Sequence, residues 1–201
     1  MKIIDAHVHY SRIASFSECA KHTSLVEYSE QGLLNESSAC DVVKSVCMGL
    51  VESSHGGFPD KNAQTPMVAD LMENIPTGMS LCLGINPHTL SKRSLEKTED
   101  MIKGSGNIVG MKIYAGYYHV DVTDSLYDPV YKLAKKYDKT IVVHTGETFS
   151  DRGLLKYSHP LRIDELAVTH PDMQIVACHM GVPWVFDACE VVAKNPNVYL
   201  E

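Results

Sequence analysis

The chain has 201 residues, a net charge of −7 and 44% hydrophobic residues, values typical of one globular domain with a sizeable core. The acidic balance argues against a general affinity for nucleic acid or anionic membranes, and no apolar stretch is long enough to span a bilayer. The N-terminal residues lack the layout of a signal peptide, and the six cysteines form no Cys-x-x-Cys pair. We therefore expect a cytoplasmic protein with reduced thiols and with neither nucleic-acid nor membrane partners.

Short apolar runs alternate with amphipathic segments along the whole chain. The runs predict seven strands, at residues 2–9, 43–51, 79–85, 108–115, 140–145, 174–180 and 197–201. The segments between them predict helices near residues 23–40, 65–75, 91–103, 126–137, 160–169 and 183–194. Two helices have an N-cap residue before a proline at the first helical position, in Thr65-Pro66 and Asp128-Pro129. Residues 52–64 are predicted to form one long polar loop.

This alternation of strands and helices predicts an α/β fold with a parallel sheet, either a (β/α)8 barrel or a doubly wound sheet. The barrel is favoured by the residues at the strand ends, which are described next. A barrel needs eight strands and typically about 250 residues, whereas this chain stops in its seventh predicted strand. We therefore expect residues 1–201 to be a single barrel domain that is incomplete at its C-terminus and lacks its eighth strand.

Histidines end three of the predicted strands. His7 and His9 end the first strand, where residues i and i+2 point to the same face. His144 ends the fifth strand and His179 the sixth, and each is followed two positions later by a glycine. Because the C-terminal strand ends of a barrel assemble its active site, the four imidazoles are expected to converge. Neutral imidazoles are ligands for zinc and similar divalent ions, so the sequence predicts a metal centre.

The same regions resemble the amidohydrolase superfamily, and within it the amidohydrolase-related group that includes aminocarboxymuconate-semialdehyde decarboxylase. The matching segments are IDAHVH, IVGMKIYAGYY, IVVHTGE, HPLRIDELAVTHPDMQIVACHMG and PNVYL. The resemblance implies that His7, His9 and His144 are metal ligands. It also implies that His179 is a further ligand or, in a one-metal site, the catalytic base that activates water. Zinc is the expected ion; one ion is favoured, and two remain open.

Lys112 lies in the apolar fourth strand and has three interpretations. It binds a substrate carboxylate, or it is carbamylated and bridges two metal ions as in some relatives, or it is an ordinary strand lysine that reaches solvent. Substrate binding is favoured because the decarboxylase-like group is generally mononuclear. Tyr114 and His88, which follow the fourth and third strands, are further candidates for substrate binding.

The resemblance also implies an Asp at the end of the eighth strand, which would bind the metal and shuttle a proton. No residue after His179 is expected to replace it, because Asp187 and Glu190 lie in a predicted helix and Glu201 ends the seventh strand. Reading the gene past codon 201 tests this expectation: an apolar run ending in Asp completes an enzyme, whereas a stop codon favours a non-catalytic barrel.

Several other residues have simpler interpretations. Cys47, Cys82 and Cys178 lie in predicted strands and are interpreted as buried thiols. Tyr117, Glu147 and Arg152 follow strands four and five, where lining a pocket and packing at the surface are equally compatible with the sequence. The histidines away from the strand ends are interpreted as structural or solvated: His22, His55, His159 and His170.

The expected function is that of a metal-dependent hydrolase acting on a small molecule through metal-activated water. The close alternative is a metal-dependent decarboxylase of a small carboxylic acid that needs no organic cofactor, because the same ligands serve both reactions. A non-catalytic metal-binding barrel and a TatD-like nuclease are further alternatives. The acidic balance counts against the nuclease, as does Lys112, because TatD-type relatives carry a Glu on the fourth strand. A homo-oligomer is compatible with the sequence.

Overall fold

The computed structural model describes residues 1–24, 26–51 and 67–201. The predicted loop at 52–64, the predicted helix start at Thr65-Pro66 and His55 all lie outside these residues, as does the side chain of His22.

Seven parallel strands form one sheet whose spatial order follows the chain, β1 to β7. The strands are β1 (Ile3–Val8), β2 (Val42–Met48), β3 (Met79–Ile85), β4 (Ile108–Ile113), β5 (Thr140–Val143), β6 (Ile175–Ala177) and β7 (Val198–Leu200). A doubly wound sheet reverses its strand order, so this sequential order excludes it. The sheet is curled, as shown by the contact between His7, near the end of β1, and Glu201, directly after β7. The predicted TIM-barrel architecture is confirmed, with seven strands among the described residues.

Helices cover the outside of the sheet. They are α1 (Ala14–Thr23), α2 (Glu30–Ala39), α3 (Lys92–Gly104), α4 (Asp128–Lys136), α5 (Leu155–Ser158), α6 (Leu161–Thr169) and α7 (Val185–Lys194). The four predicted helices between residues 91 and 194 are confirmed as α3, α4, α6 and α7. No described helix is long and apolar enough to cross a membrane.

Two of the helix predictions are wrong near the N-terminus. The helix predicted at 23–40 begins only at Glu30, because the Ser29 side chain caps it by accepting a hydrogen bond from the Gly32 backbone nitrogen (2.9 Å). The helix α1, which precedes it, was not expected. In the described part of the segment at 65–75 there is only a 3-10 helix at Ala69–Leu71, because Val68 adopts a left-handed backbone conformation (φ 80°) that a helix cannot continue through.

The interior of the barrel is lined by residues that point inward from neighbouring strands. A buried cluster of Met48, Cys82, Val142 and Cys178 occupies this interior. Lys112 is aligned with Val142 in the β4–β5 pair and therefore points to the same side of the sheet. Its side chain is completely buried, so its interpretation as a strand lysine that reaches solvent is wrong.

Candidate metal centre

His7 and His9 face each other at the end of β1, with their Nε2 atoms 3.2 Å apart. Nδ1 of His7 lies 2.5 Å from a carboxylate oxygen of Glu201, and Nδ1 of His9 lies 3.3 Å from the carbonyl oxygen of Met48. Both partners are acceptors, so each Nδ1 carries the proton that it donates. In the neutral form of each ring, the lone pair is therefore on Nε2, and the two lone pairs point toward the same space.

His144 and His179 extend this pair into a row of four imidazoles. His144 directly follows β5, is buried, and donates from Nε2 to the carbonyl oxygen of Glu147 (2.9 Å), which leaves its lone pair on Nδ1. His179 lies in a short 3-10 helix after β6, and 44% of its side chain is exposed. The ring centroids are 4.9 Å apart in each of three pairs, His7–His9, His7–His179 and His144–His179.

Tyr114 and Lys112 lie against this row, whereas His88 lies farther out. The Tyr114 ring is 6.4 Å from the His9 ring and 6.3 Å from the His144 ring. Nζ of Lys112 lies 5.1 Å from the centre of the Tyr114 ring and donates to Sγ of Cys178 at 2.7 Å. His88 packs against Tyr118, with centroids 6.1 Å apart, and Tyr118 in turn packs against Tyr114.

The environment keeps three of the histidines in their neutral form. The pKa of His9 is lowered to about 3, although part of the residue remains accessible to solvent. The largest cause is desolvation, and the charges of His7 and Lys112 add to it. Burial and the Lys112 charge hold the pKa of His144 well below its ordinary value. The same two causes lower the pKa of His179 to about 4. Neutral imidazoles are the form that binds metal, so the electrostatics suit metal ligands.

The carboxylate of Glu201 is also shifted toward its binding form. Burial alone would raise its pKa, but hydrogen bonds from the His7 ring and the His179 backbone, together with the nearby charges of His7 and Lys112, make the net shift downward. Glu201 is therefore an ionised carboxylate that holds His7 in the tautomer described above.

The predicted ligands are brought into one row but do not all reach one point. Among the described residues, the group of donors within 4.8 Å of one another consists of His7, Cys178 and His179. His9 joins this group through its contact with His7, and His144 joins it through its ring contact with His179.

The donor chemistry fits a zinc-type ion. Two nitrogen ligands of a tetrahedral zinc ion lie about 3.3 Å apart, given zinc–nitrogen bonds of about 2.0–2.1 Å. The 3.2 Å between the Nε2 atoms of His7 and His9 is close to that spacing. The residues present can therefore hold the metal that the sequence predicts.

Two residues of the centre were not found by sequence reasoning. Cys178 was interpreted only as a buried thiol, and Glu201 was set aside because it ends the seventh strand. Glu201 follows the apolar run Val198–Leu200 as His144 follows β5, so the rule that identified the histidines could also have identified this carboxylate. Cys178 had no comparable signal, because it precedes a histidine that was already assigned.

A pocket of about 370 Å³ opens beside the row of histidines. Its lining residues are Tyr117, His144, Glu147, Phe149, His179 and Val182. For Tyr117 and Glu147 the sequence was compatible with either pocket lining or surface packing, and both residues line this pocket. The Arg152 backbone carbonyl, in contrast, accepts a hydrogen bond from the His119 ring (2.8 Å), outside this lining.

A sequence profile described as amidohydrolase matches residues 84–201. No curated protein sequence matches the chain. Among solved structures, the chain is similar to an uncharacterized TIM-barrel protein, Bb4693, from Bordetella bronchiseptica, with a TM-score of 0.73 and 21% identity over 100% of this chain and 74% of that one.

The chain is also similar to two 5-carboxyvanillate decarboxylases. One is LigW from Sphingomonas paucimobilis, with a TM-score of 0.60 and 12% identity over 99% of this chain and 80% of that one. The other, from Novosphingobium aromaticivorans, has bound manganese; its TM-score is 0.54 at 13% identity, over 90% of this chain and 66% of that one. At these identities the similarity establishes the fold.

Proposed function

We propose that this chain, which belongs to the amidohydrolase family, forms the centre of a metal-dependent hydrolase that acts on a small molecule. The observation that carries the proposal is the pair of Nε2 atoms of His7 and His9, which face each other 3.2 Å apart. This separation is close to that of two nitrogen ligands of one zinc ion, so an ion between the two rings would accept a lone pair from each.

His7, His9, His144 and His179 would hold the ion, for which zinc is the first expectation. When bound, a zinc-type ion supplies a positive centre that polarises a carbonyl group and eases the loss of a proton from water. Glu201 and the Met48 carbonyl orient the first two rings by accepting their Nδ1 protons.

His179 is the residue we assign as proton acceptor if it is not itself occupied as a ligand. Its pKa of about 4 leaves the ring unprotonated at neutral pH, and 44% of its side chain is exposed. It also lines the pocket together with His144. A neutral imidazole at the wall of a pocket and partly exposed to solvent is free to accept a proton from water.

Lys112 would act on a substrate mainly through its charge. Its side chain is fully buried and its ammonium group is bonded to Cys178, so direct contact with a substrate carboxylate requires the amine to leave that sulfur. The charge already lowers the pKa of His9, His144 and His179. The same charge would attract an anionic substrate into the adjacent pocket.

A decarboxylase of a small carboxylic acid is the second candidate. It is supported by the two similar structures that are 5-carboxyvanillate decarboxylases, and by the positive charge of Lys112, which acts on His9, His144 and His179. In this reaction a substrate carboxylate, rather than water, would be the group nearest the ion.

Metal content tests the proposed centre. After treatment with a chelator and reloading with zinc, the protein should bind stoichiometric metal, measured by elemental analysis and calorimetry. The double variant His7→Ala with His9→Ala should lose this binding. His170→Ala is the matched control, because His170 packs against Tyr131 on the helical side and should leave the metal content unchanged. Stoichiometric zinc in the double variant would contradict the assignment.

A substrate panel separates the two reactions. Small esters, lactones and amides should be hydrolysed by the zinc-loaded protein, with release of acid followed by titration. Aromatic carboxylic acids, followed by release of carbon dioxide, test the decarboxylase. Metal binding without either activity would favour the non-catalytic barrel.

A further inference from the structure

We propose that Cys178 is itself a ligand of this metal centre, so that the ion is held by sulfur as well as by nitrogen. The inference rests on the proposed function and specifies its donor set. Sγ of Cys178 and one ring nitrogen from each of His7 and His179 lie within 4.8 Å of one another. Zinc sites in proteins commonly combine cysteine and histidine ligands.

The backbone after β6 is shaped so that two successive residues reach the same centre. In a regular strand, neighbouring side chains point to opposite faces of the sheet. Here His179 and Met180 adopt left-handed conformations, with φ of 60° and 50°. Glu201 holds this turn by accepting hydrogen bonds from both backbone nitrogens, at 3.2 Å from His179 and 2.9 Å from Met180. Consecutive left-handed residues other than glycine are strained, and such strain is typical of functional sites.

The charges in the centre call for an anionic ligand at the position of Cys178. Lys112 donates to Sγ of Cys178 at 2.7 Å and has no ion pair in the part of the chain that the structure describes. The Lys112 ammonium group would repel a divalent cation held by the imidazoles, and the Glu201 carboxylate, which is bonded to the His7 ring and the His179 backbone, offsets part of this repulsion. A Cys178 thiolate would attract both cations, because it accepts the lysine hydrogen bond and binds the ion. Binding forms the metal–sulfur bond and releases the thiol proton to solvent.

The distances require only a modest contraction. Nitrogen and sulfur ligands of one tetrahedral zinc ion lie about 3.3–3.8 Å apart, so donors as far as 4.8 Å apart must approach by about 1.0–1.5 Å. His179 is partly exposed and has room for this movement. A sulfur ligand is also soft, so this centre should prefer zinc to manganese.

Cobalt substitution tests the proposal directly. The chelator-treated protein is titrated with Co²⁺, and its absorption spectrum is recorded for the wild type, Cys178→Ser and the matched control Cys82→Ser. Cys82 is a buried cysteine of the same interior cluster. The wild type and Cys82→Ser should show an intense thiolate-to-cobalt charge-transfer band in the near ultraviolet, and Cys178→Ser should lack it.

The outcomes separate the two proposals. Cobalt d–d absorption in the wild type without the charge-transfer band means that the metal centre exists but Cys178 is not a ligand. The band persisting in Cys178→Ser also overturns the inference. No cobalt binding in any form contradicts the proposed function itself. If the serine variant does not fold, the wild-type spectrum alone tests the inference, and absence of the charge-transfer band contradicts it.

Metal affinity provides a second measurement. Loss of the sulfur ligand should weaken zinc binding by more than about tenfold, since even outer-shell changes cost about 10–100-fold. The preference for zinc over manganese should narrow in the same variant. Equal zinc affinities of the wild type and Cys178→Ser would overturn the inference, whereas Cys82→Ser should match the wild type.

Discussion

Charged side chains are arranged in opposite ways in the helical layer and in the centre of the barrel. In the helical layer, Asp164 of α6 accepts hydrogen bonds from Lys194 (2.7 and 2.8 Å) and Asn195 (2.7 Å), so its charge is compensated by its neighbours. In the centre, the Lys112 ammonium group is bonded to the sulfur of Cys178, and no carboxylate within the described residues forms an ion pair with it. Among the described residues, Asp164 therefore has a charged partner, whereas the Lys112 charge has none.

The pKa values record the same difference. In the helical layer, hydrogen bonds from Lys136, Tyr137 and Lys103 hold the pKa of Glu99 at about 2. In the centre, desolvation and the Lys112 charge lower the pKa values of His9, His144 and His179. Pairs of the first kind stabilise the fold modestly. A centre of the second kind costs free energy that a bound metal ion or anion would recover, which is typical of binding sites.

The largest effect that the comparison predicts is a loss of stability in acid. The unfolded chain has histidine pKa values near 6.5, whereas those of His9 and His179 in the folded metal-free protein are about 3 and about 4. Below pH 6.5 the unfolded chain therefore binds more protons, and the free energy of unfolding falls as the pH is lowered toward 4. The slope is about 1.4 kcal/mol per pH unit for each excess proton. Urea unfolding of the metal-free protein at several pH values between 7 and 5 measures this slope. Carboxylates contribute little to it in this range of pH. A flat profile would contradict the prediction.

Replacing the central charge is expected to have an intermediate effect. Lys112→Met keeps the shape of the side chain but removes the charge, so the free energy of unfolding of the metal-free protein should rise by about 1–4 kcal/mol at pH 7. The pKa values of His144 and His179 should rise as well, because the Lys112 charge lowers both. Denaturant unfolding and histidine titration by NMR measure the two effects.

The same variant also tests the role of Lys112 in ligand binding. Binding of carboxylate substrates should weaken, whereas loss of one of two bound metal ions would instead support carbamylation. Unchanged histidine pKa values would show that the amine does not carry the charge inferred here.

The smallest effect is expected in the helical layer. Asp164→Ala should lower the free energy of unfolding by about 1 kcal/mol or less, because partly exposed ion pairs contribute little and are screened by salt. Zinc affinity should stay unchanged, because Asp164 lies outside the metal centre. A loss of metal binding in this variant would show that the two regions are coupled and would weaken the comparison.

The strands could be predicted from the sequence because their apolar runs are continuous, as in Ile141-Val142-Val143. The same runs located His144 and His179 correctly at the ends of β5 and β6. The position of Cys178 could not be predicted, because strand alternation places its side chain and that of His179 on opposite faces of the sheet. The left-handed turn at His179 and Met180 brings both side chains to the same centre. Helix α1 and the break at Val68 were also missed, because each depends on the backbone conformation of a few residues.

The sequence by itself determined where the seven strands lie and that four histidines stand at C-terminal strand ends, because local periodicity specifies which residues share a face. Only the tertiary structure decided that Lys112 is buried against Cys178 and that Glu201 reaches His7. These contacts join β4 to β6 and β7 to β1, and they depend on how far the sheet curls. That curvature arises from packing over the whole barrel, which no local pattern encodes.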